Sequence, residues 1–271
     1  MLCFISYKLI LSHGGCWQIF RNTGITIKSG NEIKSMREAG KIVATTIQTL
    51  VRNIGPGIKT KELDDIAYKE IKRLGATPSF KGYLGFPASI CVSINEEIVH
   101  GIPGTRVIKE GDIVSLDVGA IVDGFHGDSA VTVSIGNIPV QTDHLIKDTA
   151  EALRRGIQSA KAGNRIGDIS SSIQTFVEEK GYSVVREYVG HGIGRALHED
   201  PQIPNYGNPN KGLMLYEGMT IAIEPMVNIG GWETQKLNDD WTVITADGSL
   251  SAHFEHTILI TKEHAEILTA L

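Results

Sequence analysis

Five residues of this 271-residue chain carry polar side chains where polarity is costly. Asp117 ends the apolar run that begins at Ile113, and Asp128 stands eleven residues later, beyond a glycine-rich turn. His191 follows a second apolar run, Glu224 closes Thr220–Ile223 ahead of Pro225, and Glu255 leads into Thr257–Ile260. A charged group in an apolar run is expensive to bury unless it is paired or bound to a cation. Four carboxylates brought together without a basic residue would repel, and proton uptake or cation binding resolves that. Two divalent ions satisfy four carboxylates and one imidazole. Oxygen-dominated ligation with a single nitrogen favours Mn, Fe or Co, with Zn as the alternative, and two such ions about 3.5–4 Å apart activate a bridging water. The opposing reading, separate surface carboxylates, has to explain why four of the five abut or lie within apolar strands.

The elements that must position these groups follow from local pattern. Gly111–Ser129 and the run Ala130–Ile135 read as two paired strands joined by a glycine-rich turn, which sets Asp117 near Asp128. Ser183–Val189 reads as a strand delivering GHGIGRALHEDP, so that His191 and His198 fall on a glycine-rich turn. Each of these histidines alone is an ordinary surface residue; two of them facing strand-end carboxylates point to metal ligation. His253, Glu255 and His256 lead into a strand over Thr257–Ile260; in strand geometry His253 and Glu255 share one face and His256 takes the other. His100 sits in a turn made by Gly101, Pro103 and Gly104 and by itself reads as exposed. Phe80, Tyr83 and Phe86, in the loop SFKGYLGFPAS, either pack beneath that loop or wall a ligand pocket. Ile90, Val92 and Ile94 alternate with Cys91 and Ser93 on a strand over Ser89–Ile94. Trp241 ends a polar loop, Gly230–Asp240, as core or as pocket wall.

Helical spacing supplies the frame. A capping box of Ser29 and Glu32 starts a helix near Gly30 with the face Ile33, Met36, Gly40, Val43, Ile47 and Leu50. The Gly55-Pro56-Gly57 turn ends it. Thr60 is read as the cap of a second helix with Leu63, Ile66, Ala67, Ile71 and Leu74 inward, stopped at Gly75. A third helical face lies within Asp143–Lys161. The second half then repeats the first: Gly57, Leu63, Ala67, Ile71 and Gly75 recur 106 positions on as Gly163, Ile169, Ile173, Val177 and Gly181. Glu110-Gly111 leads in seven residues to Asp117, and Glu217-Gly218 leads in seven to Glu224. The last match does not follow from amphipathic periodicity. It implies a duplicated α/β unit with Asp117 and Glu224 on opposite sides of one cleft.

Composition narrows the class. A 41% hydrophobic content over this length supports a sizeable core in one large domain or two fused ones, and a net charge of -5 supplies no basic field for nucleic acid. Three cysteines, Cys3, Cys16 and Cys91, suit a reducing compartment, so the expected location is the cytoplasm. No run is long enough to span a membrane. Residues 1–24 are apolar yet lack a basic start and a cleavage site; they read as a disordered extension or a start codon placed too far upstream.

These motifs together, SFKGYLGFPASICVSINEEIVHGIPG, DVGAIVDGFHGDSA, GHGIGRALHEDPQIPNYG, IAIEPMVN and HFEHTILIT, resemble the type I methionine aminopeptidases of bacterial kind. The likeness covers Ile25 to Leu271. It implies the pita-bread fold, an α/β (α+β) arrangement of two pseudo-symmetric halves around a central antiparallel sheet with helices outside. That fold would make residues 25–271 a single catalytic domain with halves of about 25–140 and 141–271. It also implies a hydrolase that removes the initiator methionine from nascent proteins, preferring a small second residue, by metal-activated water hydrolysis of the first peptide bond. By the same resemblance Asp117 holds one metal, His191 and Glu224 the other, and Asp128 and Glu255 bridge both. Glu224 would shuttle a proton, His198 would steady the carbonyl, and His100 would contact the scissile amide. The methionine side chain would enter a pocket of Phe80, Tyr83, Phe86, Cys91, Leu197 and Trp241, where Phe80 replaces a cysteine of some members and Leu197 an aromatic residue. The implied partners are N-termini of nascent chains, with contact to the ribosome, no nucleic acid and no membrane; a monomer is expected. No helical insertion of the type II kind separates His198 from Glu224, and no zinc-finger extension is recognisable at the N-terminus. Two rivals stand beside this reading: a proline-specific peptidase of the same fold, and a metal-free binding module.

Overall fold

The computed structural model describes residues 24–271. The expected N-terminal extension falls on residues 1–24, and all of it but Gly24 lies outside the described residues, as do Cys3 and Cys16. Helix α1 (Gly30–Asn53) starts where the Ser29 backbone N–H donates to the Glu32 carboxylate at 2.9 Å, and Met36, Val43 and Leu50 are fully buried along its inner face. Helix α2 (Thr60–Arg73) buries Leu63, Ala67 and Ile71. Its cap differs from the sequence expectation. Thr60 is the first helical residue, and its hydroxyl is drawn away to Gly104, accepting the N–H at 2.8 Å and donating to the carbonyl at 3.2 Å. The carboxylate of Glu62 closes the helix instead by accepting the Lys59 N–H at 2.9 Å.

The first half continues through β1 (Thr77–Pro78), β2 (Ile90–Ile94), β3 (Glu97–Val99), β4 (Ile113–Val122) and β5 (Phe125–Ser134). The second half holds α3 (Val140–Ser159), α4 (Ile166–Glu179), β6 (Ser183–Val184), β7 (Gly190–Gly192), β8 (Glu199–Ile203), β9 (Thr220–Ile223) and β10 (Met226–Asn228). It closes with β11 (Thr234–Lys236), β12 (Val243–Thr245), β13 (Ser251–His253), β14 (His256–Ile260) and β15 (Ala265–Ile267). Among the described residues every strand pair is antiparallel. The layer is divided into a sheet of order β1-β4-β2 with β5 on β4, a sheet of order β15-β14-β9-β7-β8, and two three-stranded sheets, β13-β10-β6 and β11-β12-β3. The first two meet at a seam where the Thr257 hydroxyl accepts the Asp128 N–H at 2.9 Å and donates to the Asp128 carbonyl at 2.8 Å; beside it the backbones of Ala130 and Glu255 bond at 2.9 Å, and the Thr132 hydroxyl ties β5 to the His253 carbonyl of β13 at 2.8 Å. Helix α1 lies close over β5: a side chain at Gly127 would reach the Gly40 nitrogen at 2.9 Å, and one at Gly40 would reach the Leu268 carbonyl at 2.1 Å.

The repeat is written in the backbone. Helices α2 and α4 both run 14 residues at an offset of 106. Gly57 and Gly163 have φ of 95° and 91°, Gly75 and Gly181 have 84° and 82°, and Gly111 and Gly218 have 89° and 87°. These left-handed positions favour glycine, which is why glycine recurs there. The bridge Lys59↔Val107 is matched by Arg165↔Met214. The two largest cores follow the halves, one packing α1 and α2 on β2 and β4, the other packing α3 and α4 on β9, β10 and β14.

Three local readings change. The strand expected over Ser183–Val189 stops at β6; beyond it Arg186 stacks on the rings of Tyr206 and Trp232 at 5.5 and 5.1 Å, and Tyr188 packs on His100. His191 lies on a strand, β7, and not on a turn. Its glycine neighbours serve close approach: a side chain at Gly190 would reach the Ala222 carbonyl at 2.4 Å, and one at Gly192 the Asp200 carbonyl at 2.2 Å. The Gly230–Asp240 loop holds β11, which pairs with β12.

Candidate active site

Asp117 and Asp128 are placed by one hairpin. Gly119 faces Asp128 and Asp117 faces Ala130, so the two aspartates lie diagonally on the same face of β4 and β5. Across the other edge of β4, Asp117 is directly opposite Cys91 on β2. On the facing sheet, β7 presents His191 opposite Ala222 of β9, and Glu224 directly follows the end of β9. Glu255 sits between β13 and β14, at the seam, just ahead of the strand expected over Thr257–Ile260. Ligand atoms of Asp128, His191 and Glu255 all come within 4.8 Å of one another. Asp117 joins through Asp128, and Glu224 joins through His191, its Oε1 3.5 Å from Nε2.

The protonation pattern follows from burial. Asp128 and Glu255 are 5% and 3% exposed. Burial first, then repulsion among the carboxylates, holds Asp128, Glu224 and Glu255 well above the ordinary carboxylate range, and burial raises Asp117 to about 7. Burial depresses His191 to about 3, so it stays neutral. Its Nδ1 lies 2.9 Å from the Gly192 carbonyl, which only accepts; the proton is therefore on Nδ1, and Nε2 turns a lone pair toward Glu224.

Two acceptors 3.5 Å apart need a proton or a cation between them. Asp117 Oδ1, Asp128 Oδ1 and Glu255 Oε1 are buried without a hydrogen-bond partner. Three unpartnered carboxylate oxygens, an outward imidazole lone pair and no lysine or arginine on the cavity wall fit a divalent-cation site.

The rest of the cavity is apolar. It encloses about 190 Å³, and its lining includes every candidate site residue of the sequence, His100, His198, the five acidic and imidazole groups, Phe80, Tyr83, Phe86, Cys91, Leu197 and Trp241. Phe80, Phe86, Cys91 and Leu197 are buried, and Phe86 meets Trp241 edge to face at 5.0 Å. His100, with φ of 61°, packs its ring on Tyr188 and Trp241, and burial lowers its pKa to about 4. His198 stands at the rim, its Nδ1 2.7 Å from the Tyr83 hydroxyl. Two residues at the site receive no role from the sequence. Leu84, 81% exposed with φ of 48°, lines the mouth; an apolar residue amid loop glycines was the available signal. His253, placed by the sequence on the same face as Glu255 but given no role there, has its Nε2 buried without a hydrogen bond 3.9 Å from Glu224 Oε2, a contact that joins β13 to the end of β9 and has no local trace.

A cavity with one acidic, imidazole-bearing wall and one aromatic wall, set between duplicated half-sheets, defines a metal-dependent hydrolase. The model of metallopeptidase family M24 matches residues 34–262, and the chain belongs to that family. Divalent metal is the cofactor this family implies. Methionine aminopeptidase 1 of Bacillus subtilis is 58% identical over 245 residues, covering 90% of this chain and 99% of the relative. The crystal structure of methionine aminopeptidase from Thermotoga maritima matches with a TM-score of 0.90 at 50% identity, over 91% of this chain and 100% of that one. The prolidase of Pyrococcus furiosus matches with a TM-score of 0.75 at 25% identity, and the chain covers only 65% of it. Among the described residues no helix is long and apolar enough to cross a membrane.

Proposed function

We infer that the protein removes the N-terminal methionine from nascent polypeptides and peptides whose second residue is small. The observation that carries this reading is the cavity itself, an apolar, aromatic-walled recess closed at one end by the acidic and imidazole groups. An unbranched thioether suits such a recess, and an enclosed site limits the residue that follows. Asp117, Asp128, His191, Glu224 and Glu255 would hold two divalent cations; Mn, Fe or Co would suit this oxygen-rich set, with Zn the alternative. Bound metal supplies Lewis acidity and lowers the pKa of water.

The chain's own groups do the rest. Glu224 takes the proton of the attacking water and passes it to the leaving amine. His198, oriented by the hydrogen bond between its Nδ1 and the Tyr83 hydroxyl at 2.7 Å, would donate from Nε2 to the scissile carbonyl oxygen as charge develops there. His100, kept neutral by burial, hydrogen-bonds the substrate near the scissile amide. Phe80, Tyr83, Phe86, Cys91, Leu197 and Trp241 hold the methionine side chain. Substrates reach the enzyme as nascent chains in the cytoplasm, with ribosome contact, and the working form is a monomer.

The test is peptide release by protein stripped with EDTA. Met-Ala-Ser is expected to lose methionine only after Mn, Co or Fe is restored. Absence of metal-dependent release would overturn the reading, and release from Xaa-Pro peptides alone would favour a proline-specific peptidase.

A further inference from the structure

Lys28 and Glu199 form the most buried lysine or arginine ion pair among the described residues, 2.6 Å long with side-chain exposures of 5% and 12%. Lys28 belongs to the segment Gly24–Ser29 that precedes α1, whereas Glu199 directly follows His198 in the chain. One carboxylate serves both segments. Its Oε2 accepts from Lys28 Nζ and from the Thr26 hydroxyl at 2.8 Å, and its Oε1 accepts the Ala196 N–H at 3.2 Å. The lysine also bonds the Thr26 hydroxyl. Gly194 leaves no room between them: a side chain there would meet Lys28 Cε at 2.5 Å and Glu199 Oε1 at 2.6 Å. The same loop is gripped a second time, since Arg195 reaches Glu32 in the first turn of α1 at 3.3 Å and lies 4.3 Å over the Phe125 ring. The Lys28 N–H donates to the Gly218 carbonyl at 2.9 Å, just before β9.

We propose that Gly24–Ser29 is a strap that fixes the loop Gly194–His198, and that Lys28 and Glu199 are positioning residues for the hydrogen bond His198 makes to the substrate carbonyl. The inference rests on the peptidase reading of the site. A buried ion pair adds little to stability over an apolar pair of similar size. What this pair does that an apolar pair cannot is bind the Ala196 N–H and so set the turn that aims Leu197 and His198 into the cavity. Without Lys28, the carboxylate is left buried without its cation and turns toward water, and the loop turns with it.

The test uses the full chain loaded with metal and Met-Ala-Ser as substrate. Lys28→Met lowers kcat at least about tenfold with KM within about twofold, because the lost contact acts in the transition state. It also lowers Tm. The double variant Lys28→Met, Glu199→Met recovers Tm but keeps the low kcat. In a His198→Ala background, Lys28→Met changes kcat by less than about twofold, as expected of a residue acting through His198. A double variant with unmodified kcat, or an undiminished loss in the His198→Ala background, overturns the strap. An unmodified protein that releases no methionine overturns the activity itself and the strap with it; an active protein with unaffected variants overturns the strap alone.

Discussion

The two halves share a backbone and differ at the ends of matching strands. Asp117 and Glu224 stand at offset 107, each seven residues beyond a Glu-Gly turn whose glycine is left-handed. In the first half β4 runs past Asp117 to Val122 and returns as β5, so the hairpin delivers a second carboxylate, Asp128, beside the first. In the second half Pro225 has no N–H and the strand stops; Glu224 is met by His191 at 3.5 Å and His253 at 3.9 Å. The duplication supplied a carboxylate at each strand end, and the neighbours decide what it can do. Asp117 has another carboxylate and a thiol for company and suits ligation. Glu224 has two neutral imidazoles and suits both ligation and proton transfer.

Breaking the shared position should hurt most. Asp128→Asn is expected to abolish methionine release and to weaken metal binding by more than the roughly 100-fold typical of outer-shell partners, while circular dichroism and Tm report an intact fold. Full turnover in that variant would remove Asp128 from the centre. The strand-end pair then separates by kind. Glu224→Gln should cost about 10²–10⁴ in kcat that added metal does not restore, since the proton carrier is gone. Asp117→Asn should be restored in part by excess metal. Equal rescue of both would erase the distinction between the halves.

Acidity offers a smaller effect with a definite sign. The folded pKa values of Asp117, Asp128, Glu224 and Glu255 lie above their unfolded values, so the metal-free protein binds more protons folded than unfolded. Their contribution is complete below the ordinary carboxylate pKa and is lost as pH rises through the folded values, about 7 for Asp117. The buried histidines His100, His126, His191, His253 and His256, lowered to about 3–4, act oppositely, but their contribution is complete above 6.5. Above 6.5 the carboxylate losses act alone, so metal-free Tm is expected to fall as pH rises from about 6.5 through about 7, and the gain in Tm on adding metal to grow over that interval as the cation replaces protons. Scanning calorimetry of stripped and loaded protein decides it; a gain that shrinks with pH contradicts the arrangement.

The acidic wall was legible because burying a carboxylate in an apolar run is costly wherever it occurs, and the repeat was legible because left-handed turns call for glycine at fixed offsets. What escaped depends on partners distant in sequence. His191 reads as a turn residue because glycines flank it, yet those glycines answer to Ala222 and Asp200, which press on β7 from both sides. Thr60 reads as a cap because nothing local announces that Gly104 takes its hydroxyl. Lys28 and Glu199 stand 171 residues apart, so their pairing has no local trace.

The finest difference between the halves lies at the starts of α2 and α4. Glu62 accepts the Lys59 N–H at 2.9 Å, and its counterpart Asp168 accepts the Arg165 N–H at 2.7 Å. Both close a helix start against its dipole, and either truncation to alanine should cost about 0.5–2 kcal/mol. Asp168 does more, for its second oxygen accepts the N–H of Asn210, a residue held at φ of 60° in the loop before β9. Asp168→Ala should therefore cost about 1 kcal/mol more than Glu62→Ala in denaturant unfolding, that being the usual worth of one such bond. Equal losses would mean that the Asn210 loop holds itself, and that the duplicated caps still do one job each.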